Sequence, residues 1–173
     1  NTEQDVRVPV LVEPGRLNVN FDTVITVGGT EVNNAYNSMR QEQQILVKQI
    51  REIVGRFNTA QSEGTLTESL EAEVNQEYDN INKQLIELNY NFAKSNITNE
   101  LGQYLFTTSS SMFEPDQQRD ILANASDSFK AKENVKRIVN RLESLEKVAI
   151  GKKFVDFTLD DPHGNEVSLS DYA

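Results

Sequence analysis

The sequence predicts a mostly helical α+β fold: a short antiparallel β segment, a long antiparallel helical hairpin, a helical cluster and a C-terminal β-hairpin. Three observations carry that prediction. Valines alternate with polar residues and turn formers through residues 1–29. Two long stretches between 30 and 96 then repeat apolar residues at four-three spacing, with a short Ser-Glu-Gly break between them. Finally, residues 151–173 alternate again on both sides of Asp-Pro-His-Gly. These shifts divide the chain into 1–29, 30–150 and 151–173.

In the first region Val6, Val8, Val10 and Val12 share one face of an extended segment, and Glu13-Pro14-Gly15 supplies a tight turn. The next strand places Leu17, Val19 and Phe21 inward and Arg16, Asn18, Asn20 and Asp22 outward. A third, Thr23 to Val27, runs into Gly28-Gly29. Pro9 lacks the donor that a central strand needs, so the first strand belongs at an edge. So few strands require a partner surface, and further sequence upstream is expected.

Thr30 is placed to cap the next element. From Val32, a seam follows through Tyr36, Met39, Leu46, Ile50, Ile53 and Phe57, with Gln43 filling one position, predicting a helix over about 31–61. Thr65 with Glu68 reads as a capping box opening a second helix over about 66–95. Its seam is Leu66, Leu70, Val74, Tyr78, Ile81, Leu85, Leu88 and Phe92. The short connection makes the pair an antiparallel hairpin. Such stripes are core by default; the functional alternative is a seam left partly open to grip another helix. Beyond Ser95 come a short helix capped by Thr98 with Leu101, Tyr104 and Leu105 inward, a polar Thr-Thr-Ser-Ser-Ser break, and a helix with Pro115 in its first position. The last helix, about 133–149, sets Val135, Ile138, Val139, Leu142 and Leu145 along one side, and Gly151 stops it.

Composition narrows the function classes. Acidic residues outnumber basic ones 27 to 17, for a net charge of -10. That field repels nucleic-acid phosphates and anionic membranes, and no basic cluster offsets it. There is no cysteine, which excludes from these residues a thiolate nucleophile, a disulfide and any Cys-ligated metal. One histidine, His163, excludes a His-rich zinc site. No apolar run is long enough to span a membrane. No initiator Met or basic-then-apolar leader is present, so the chain is read as a mature form or a piece of a longer one.

No constellation in the sequence carries chemistry, so no catalytic, cofactor-binding or metal-binding residue is assigned. Asn-Ile-Thr at 96–98 and Asn-Ala-Ser at 124–126 match glycan acceptor triplets, but Thr98 and Ser126 serve equally as helix caps. Asp156, Asp160, Asp161, Glu166 and Asp171 lack calcium-loop spacing and read as solvated turn acids. His163 lies in a Pro-x-Gly turn with no suggested nucleophile or orienting group.

The terminal residues Gly151, Asp156-Phe157-Thr158-Leu159, Asp161-Pro162-His163-Gly164 and Ser168-Leu169-Ser170-Asp171 nevertheless form a pattern. It resembles the opening of an extracytoplasmic thioredoxin-like domain, of the TlpA-like cytochrome-maturation and alkyl-hydroperoxide-reductase type. Phe154-Val155 stand where the family has a small residue and Pro. The alternation agrees, because Phe157 and Leu159 share a face to which Val167 and Leu169 return. The upstream layout resembles the accessory region preceding such domains in Bacteroidetes-like bacteria. The resemblance implies a Cys-x-x-Cys on a helix N-terminus in sequence following this chain, and a periplasmic or envelope-attached parent acting by thiol–disulfide exchange.

The expected role is therefore a non-catalytic accessory and positioning module. Its partners would be the thioredoxin-like domain of its own parent chain and that domain's protein substrates, with no cofactor and no nucleic acid. Two alternatives stand beside it: a helical adaptor that binds another protein as helix in groove, and the accessory region of a peroxiredoxin-like enzyme. Strand edges at Val6–Val12 and in the terminal hairpin are expected to be unpaired. From Phe154 on, the chain should either pack poorly or pair with another molecule, the second outcome giving an oligomer through those edges.

Overall fold

The computed structural model describes residues 7–21, 25–152 and 156–172. Its contacts divide the chain into two compact units, residues 1–129 and 130–173. The α+β, mostly helical class holds.

The first unit opens with an extended segment that forms no strand. Val12 is 87% exposed there, and the expected edge strand is replaced by a side-chain clasp. Asn33, on the first turn of α1 (Glu31–Glu63) and almost fully buried, accepts from the Leu11 N–H at 3.0 Å and donates to the Leu11 carbonyl at 2.8 Å. One amide thus makes both bonds that a neighbouring strand would have made. Val6, Asp22, Thr23 and Phe154 lie outside the described residues.

β1 (Asn18–Phe21) pairs antiparallel with β2 (Ile25–Gly28), with Val19 opposite Val27 and Phe21 opposite Ile25. Val27 is buried, but Val19 and Phe21 are exposed, which corrects the inward placement expected for them. A two-stranded ribbon has one face to cover, and α1 packs against β2. Gly29 ends the ribbon at φ 105°, and a Cβ there would lie 2.0 Å from the Arg16 carbonyl oxygen. That backbone approach admits only glycine.

Thr30 is the N-cap of α1, yet its hydroxyl makes no capping bond; it accepts from the Asn33 amide at 2.7 Å. The helix runs 33 residues, about 50 Å at 1.5 Å per residue. Met39, Leu46, Ile53 and Ala60, at strict seven-residue spacing, are buried against α2 (Glu68–Asn96). α2 runs antiparallel, as the Tyr36–Phe92 ring pair at 5.3 Å and the Arg56–Glu77 ion pair show. Thr67, not Thr65, caps α2, accepting from the Leu70 N–H at 3.2 Å. Thr65 closes α1 instead, donating from its backbone and its hydroxyl to the Ala60 carbonyl. Tyr78, placed in the seam by its spacing, is 38% exposed.

α3 (Glu100–Ser109) is capped by Asn99 rather than Thr98, through a 3.1 Å bond from the Gly102 N–H. Gly102 is pressed against the end of α2, where a Cβ would meet the Asn96 carbonyl oxygen at 2.0 Å. The polar Thr-Thr-Ser-Ser-Ser run does not break the helix at its start. The Thr107 and Thr108 hydroxyls bond back to the Gln103 and Tyr104 carbonyls, so α3 reaches Ser109 before a 3-10 turn, Ser110–Met112. α4 (Pro115–Ala123) starts on Pro115, with Glu114 and Gln117 forming a reciprocal capping box. A short α5 (Asp127–Lys130) follows, capped by Ser126.

A cluster of aromatic rings is buried here. Phe106 and Phe129 meet edge to face at 6.1 Å and Phe106 and Phe113 stack at 6.5 Å; Ile97, Leu101, Leu105 and Ile121 of the same helical region are buried as well. Phe106 takes the inward place expected of Tyr104, which is 46% exposed. The buried Gln118 donates to the Ser110 and Phe113 carbonyls, both at 2.7 Å, and so satisfies the turn that enters α4.

In the second unit α6 (Glu133–Lys147) buries Val135 and Leu142, with Ile138 and Val139 half-buried and Leu145 exposed. β3 (Thr158–Asp160) and β4 (Glu166–Ser168) pair antiparallel, Leu159 opposite Val167, and lead into a 3-10 turn, Leu169–Tyr172.

Candidate functional site

The terminal hairpin is built from its carboxylates. Asp161 sits at the turn and accepts the backbone N–H of His163 at 2.8 Å and of Asn165 at 2.9 Å through one oxygen. Its other oxygen takes the Asn165 amide at 3.0 Å. The bonds from Asn165 hold the Asp161 carboxyl below the usual carboxylate range. Asp156 fastens the far end, accepting the Ser170 hydroxyl at 2.6 Å and its N–H at 2.9 Å, and the same bonds lower it. Asp171 accepts the Ser168 N–H at 2.8 Å. Three of the five clustered acids thus tie backbone together. The other two, Asp160 and Glu166, oppose each other across the ladder, both exposed, and that like-charge pair works against the hairpin.

What these bonds display is an uncovered apolar face. Leu159 stands opposite Val167, and Phe157 is joined to Leu169 by a 3.0 Å backbone bond. Phe157, Leu159 and Leu169 are 54%, 65% and 39% exposed. His163 is exposed on the turn, and its backbone N–H serves Asp161.

A second cluster, 30 residues apart in sequence, joins α2 to α4. The Tyr90 hydroxyl donates to Asp120, which also pairs with Lys94 at 2.7 Å. The Lys94 ammonium lies 5.6 Å from the Tyr90 ring centroid. Lys94 is raised and Asp120 lowered, each mainly by the hydrogen bond between them. An aspartate held ionised by both partners, beside a lysine held charged, is a poor base and a poor nucleophile. It clamps the two helices. Beside it a groove of about 550 Å³ runs past Asn82, Ile86, Glu87 and Met112. Sequence reading could not find this cluster, because only the four-residue step from Tyr90 to Lys94 is visible locally.

The sequence assigned no catalytic or ligand residue. Among the described residues, no group of three or more Asp, Glu or His is arranged to hold a metal ion. No described helix is long and apolar enough to cross a membrane. Of the two glycan triplets, Asn96 has its side-chain amide on the Phe92 carbonyl at 3.0 Å, while Asn124 is exposed at the end of α4. Comparison with known proteins found no matching family model, no matching curated protein and no matching solved structure.

Proposed function

We propose that this chain is a non-catalytic accessory and positioning module of a periplasmic or envelope-attached thiol–disulfide oxidoreductase. In this reading the terminal hairpin is the first piece of a thioredoxin-like sheet, and the reactive cysteines follow in sequence beyond Ala173. The observation that supports it most is the exposed face of Phe157, Leu159 and Leu169. Two three-residue strands cannot bury enough to be stable by themselves, so a face of this kind suits a sheet completed by further strands. The residues that shape it, Asp156-Phe157, Asp161 to Gly164 and Ser168 to Asp171, are those that carry the resemblance.

The chemistry of the proposed parent would be thiolate attack on a disulfide through a mixed-disulfide intermediate, and no residue of this chain takes part in it. The helical region would position that domain toward its protein substrates. The test is the gene sequence that follows the Ala173 codon. A further strand and a Cys-x-x-Cys are expected, and the protein extended to include them should reduce an insulin disulfide. A single cysteine in a Thr-x-x-Cys setting selects the peroxide-reducing alternative. A stop codon, or a cysteine-free continuation, overturns both and leaves the helical adaptor, which would have to work with whatever apolar surface the α1–α2 seam leaves open.

A further inference from the structure

One flank of α2 faces the start of α4 across the groove of about 550 Å³. Asp79, Lys83, Ile86, Glu87 and Tyr90 step along that flank three or four residues apart, or side by side, so they share one helical face. The opposite wall holds Met112, from the 3-10 turn, and Glu114, the N-cap of α4. Floor and rim differ in kind. Ile86 and Met112 are half-buried, and the Tyr90 ring is held in place by its hydroxyl on Asp120. Asp79, Lys83, Glu87 and Glu114 are all exposed.

The rim charges are not spent inside the chain. Among the described residues, no ion pair engages Asp79, Glu87 or Glu114, and none engages Lys83, which lies four residues from both Asp79 and Glu87. The Glu114 carboxylate takes part in the α4 capping box and keeps its charge there. Three carboxylates against one ammonium leave the groove itself negative, around an apolar floor.

We infer that this groove docks a basic amphipathic helix of a protein partner. Asp79 and Glu87 are eight residues apart, about 12 Å along the axis of α2. Basic residues two turns apart on a docked helix have nearly that separation, and apolar side chains between them meet Ile86, Met112 and the Tyr90 ring. Glu114 receives a further cation from the α4 side. Apolar contact supplies the affinity, while the rim carboxylates choose the partner and speed its arrival. An acidic helix meets like charge at three positions. A purely apolar helix covers the carboxylates without pairing them, at a cost in desolvation. The inference does not depend on the thioredoxin-like reading of the terminal hairpin.

The test uses the full chain and its two methionines, of which Met112 lines the groove and Met39 is buried in the α1–α2 seam. With isotope-labelled methionine methyls, each residue gives its own NMR signal. A synthetic helical peptide of repeated Leu-Leu-Lys-Lys should shift the Met112 signal saturably and leave Met39 in place. Its Leu-Leu-Glu-Glu counterpart should shift neither. A Met112 signal that ignores the basic peptide, or follows both peptides alike, overturns the inference. Asp79→Asn combined with Glu87→Gln should weaken the Met112 titration about three- to tenfold, in line with two exposed charge pairs. Glu143→Gln combined with Glu146→Gln removes the same charge from exposed positions of α6 and should leave the titration unchanged. Equal weakening by both pairs means that net charge alone draws the peptide, and overturns the inference. Spermine offers ammonium groups without apolar side chains and should bind at least about tenfold more weakly than the basic peptide. Spermine binding as tightly as the peptide overturns the assignment of a helix to the groove.

Discussion

Asn33 does the work of a strand with a single side chain. Its amide both accepts from and donates to Leu11, and it reaches the Thr30 hydroxyl as well, all in a nearly dry site. Replacing it leaves the Leu11 N–H and carbonyl without these partners, which costs about 1–3 kcal/mol when such groups stay buried. Asn33→Ala is expected to lower stability by that amount in urea titration and to speed amide exchange at Leu11. Asn33→Asp should behave almost as badly, since it keeps the acceptor and loses both donors. Unchanged exchange at Leu11 in either variant would show that the extended segment is held by something else. No periodicity marks Asn33 for this role. It lies one position beyond Val32, where the stripe begins, and its partner is 22 residues away.

At the scale of the element, helices were legible and their ends were not. Residues about 31–61 and 66–95 were expected, and 31–63 and 68–96 are observed, because long four-three stripes leave little choice of element or partner. The caps moved from Thr65 to Thr67 and from Thr98 to Asn99. In each place several cap-competent residues stand close together, and packing of the following helix picks one. Phe106 was overlooked because α3 turns its face toward Phe113 and Phe129, a choice made by tertiary contact rather than by spacing. The lost first strand has the same origin, since nothing local announces that Asn33 will claim the backbone of Leu11.

The terminal hairpin, by contrast, was legible as an alternation around a turn, and its fasteners make it acid-sensitive. Asp161 and Asp156 have folded values below their unfolded ones. Their contribution is therefore complete above the ordinary carboxylate range. It falls as pH drops through that range and is gone below the lowered values. The amide resonances of His163 and Asn165 should accordingly shift together on acidification, with a midpoint below that of an unstructured aspartate. Asp161→Asn should abolish that shared titration. A midpoint at the unstructured value would mean that the turn does not hold its bonds in solution.

On the scale of the whole molecule, a net charge of -10 opposes any association between copies. The core of the first unit, with Phe106, Phe113 and Phe129, lies at the far end of α2 from Gly64. The base of the hairpin is fastened there by Tyr36 on Phe92 and by Gln43 reaching the buried Asn89, while the tip has a few aliphatic side chains.

That gradient means that the peptide link at the tip contributes little to holding the two halves together. Ser62 to Thr65 are all exposed, the kind of loop tip where backbone cleavage is tolerated. Fragments 1–63 and 65–173, expressed separately and mixed, should therefore complement one another and co-purify as a nicked pair with native helicity. If they stay apart, continuity through the tip matters more than the base contacts indicate. If they reunite, the molecule is already a split protein joined by a dispensable suture.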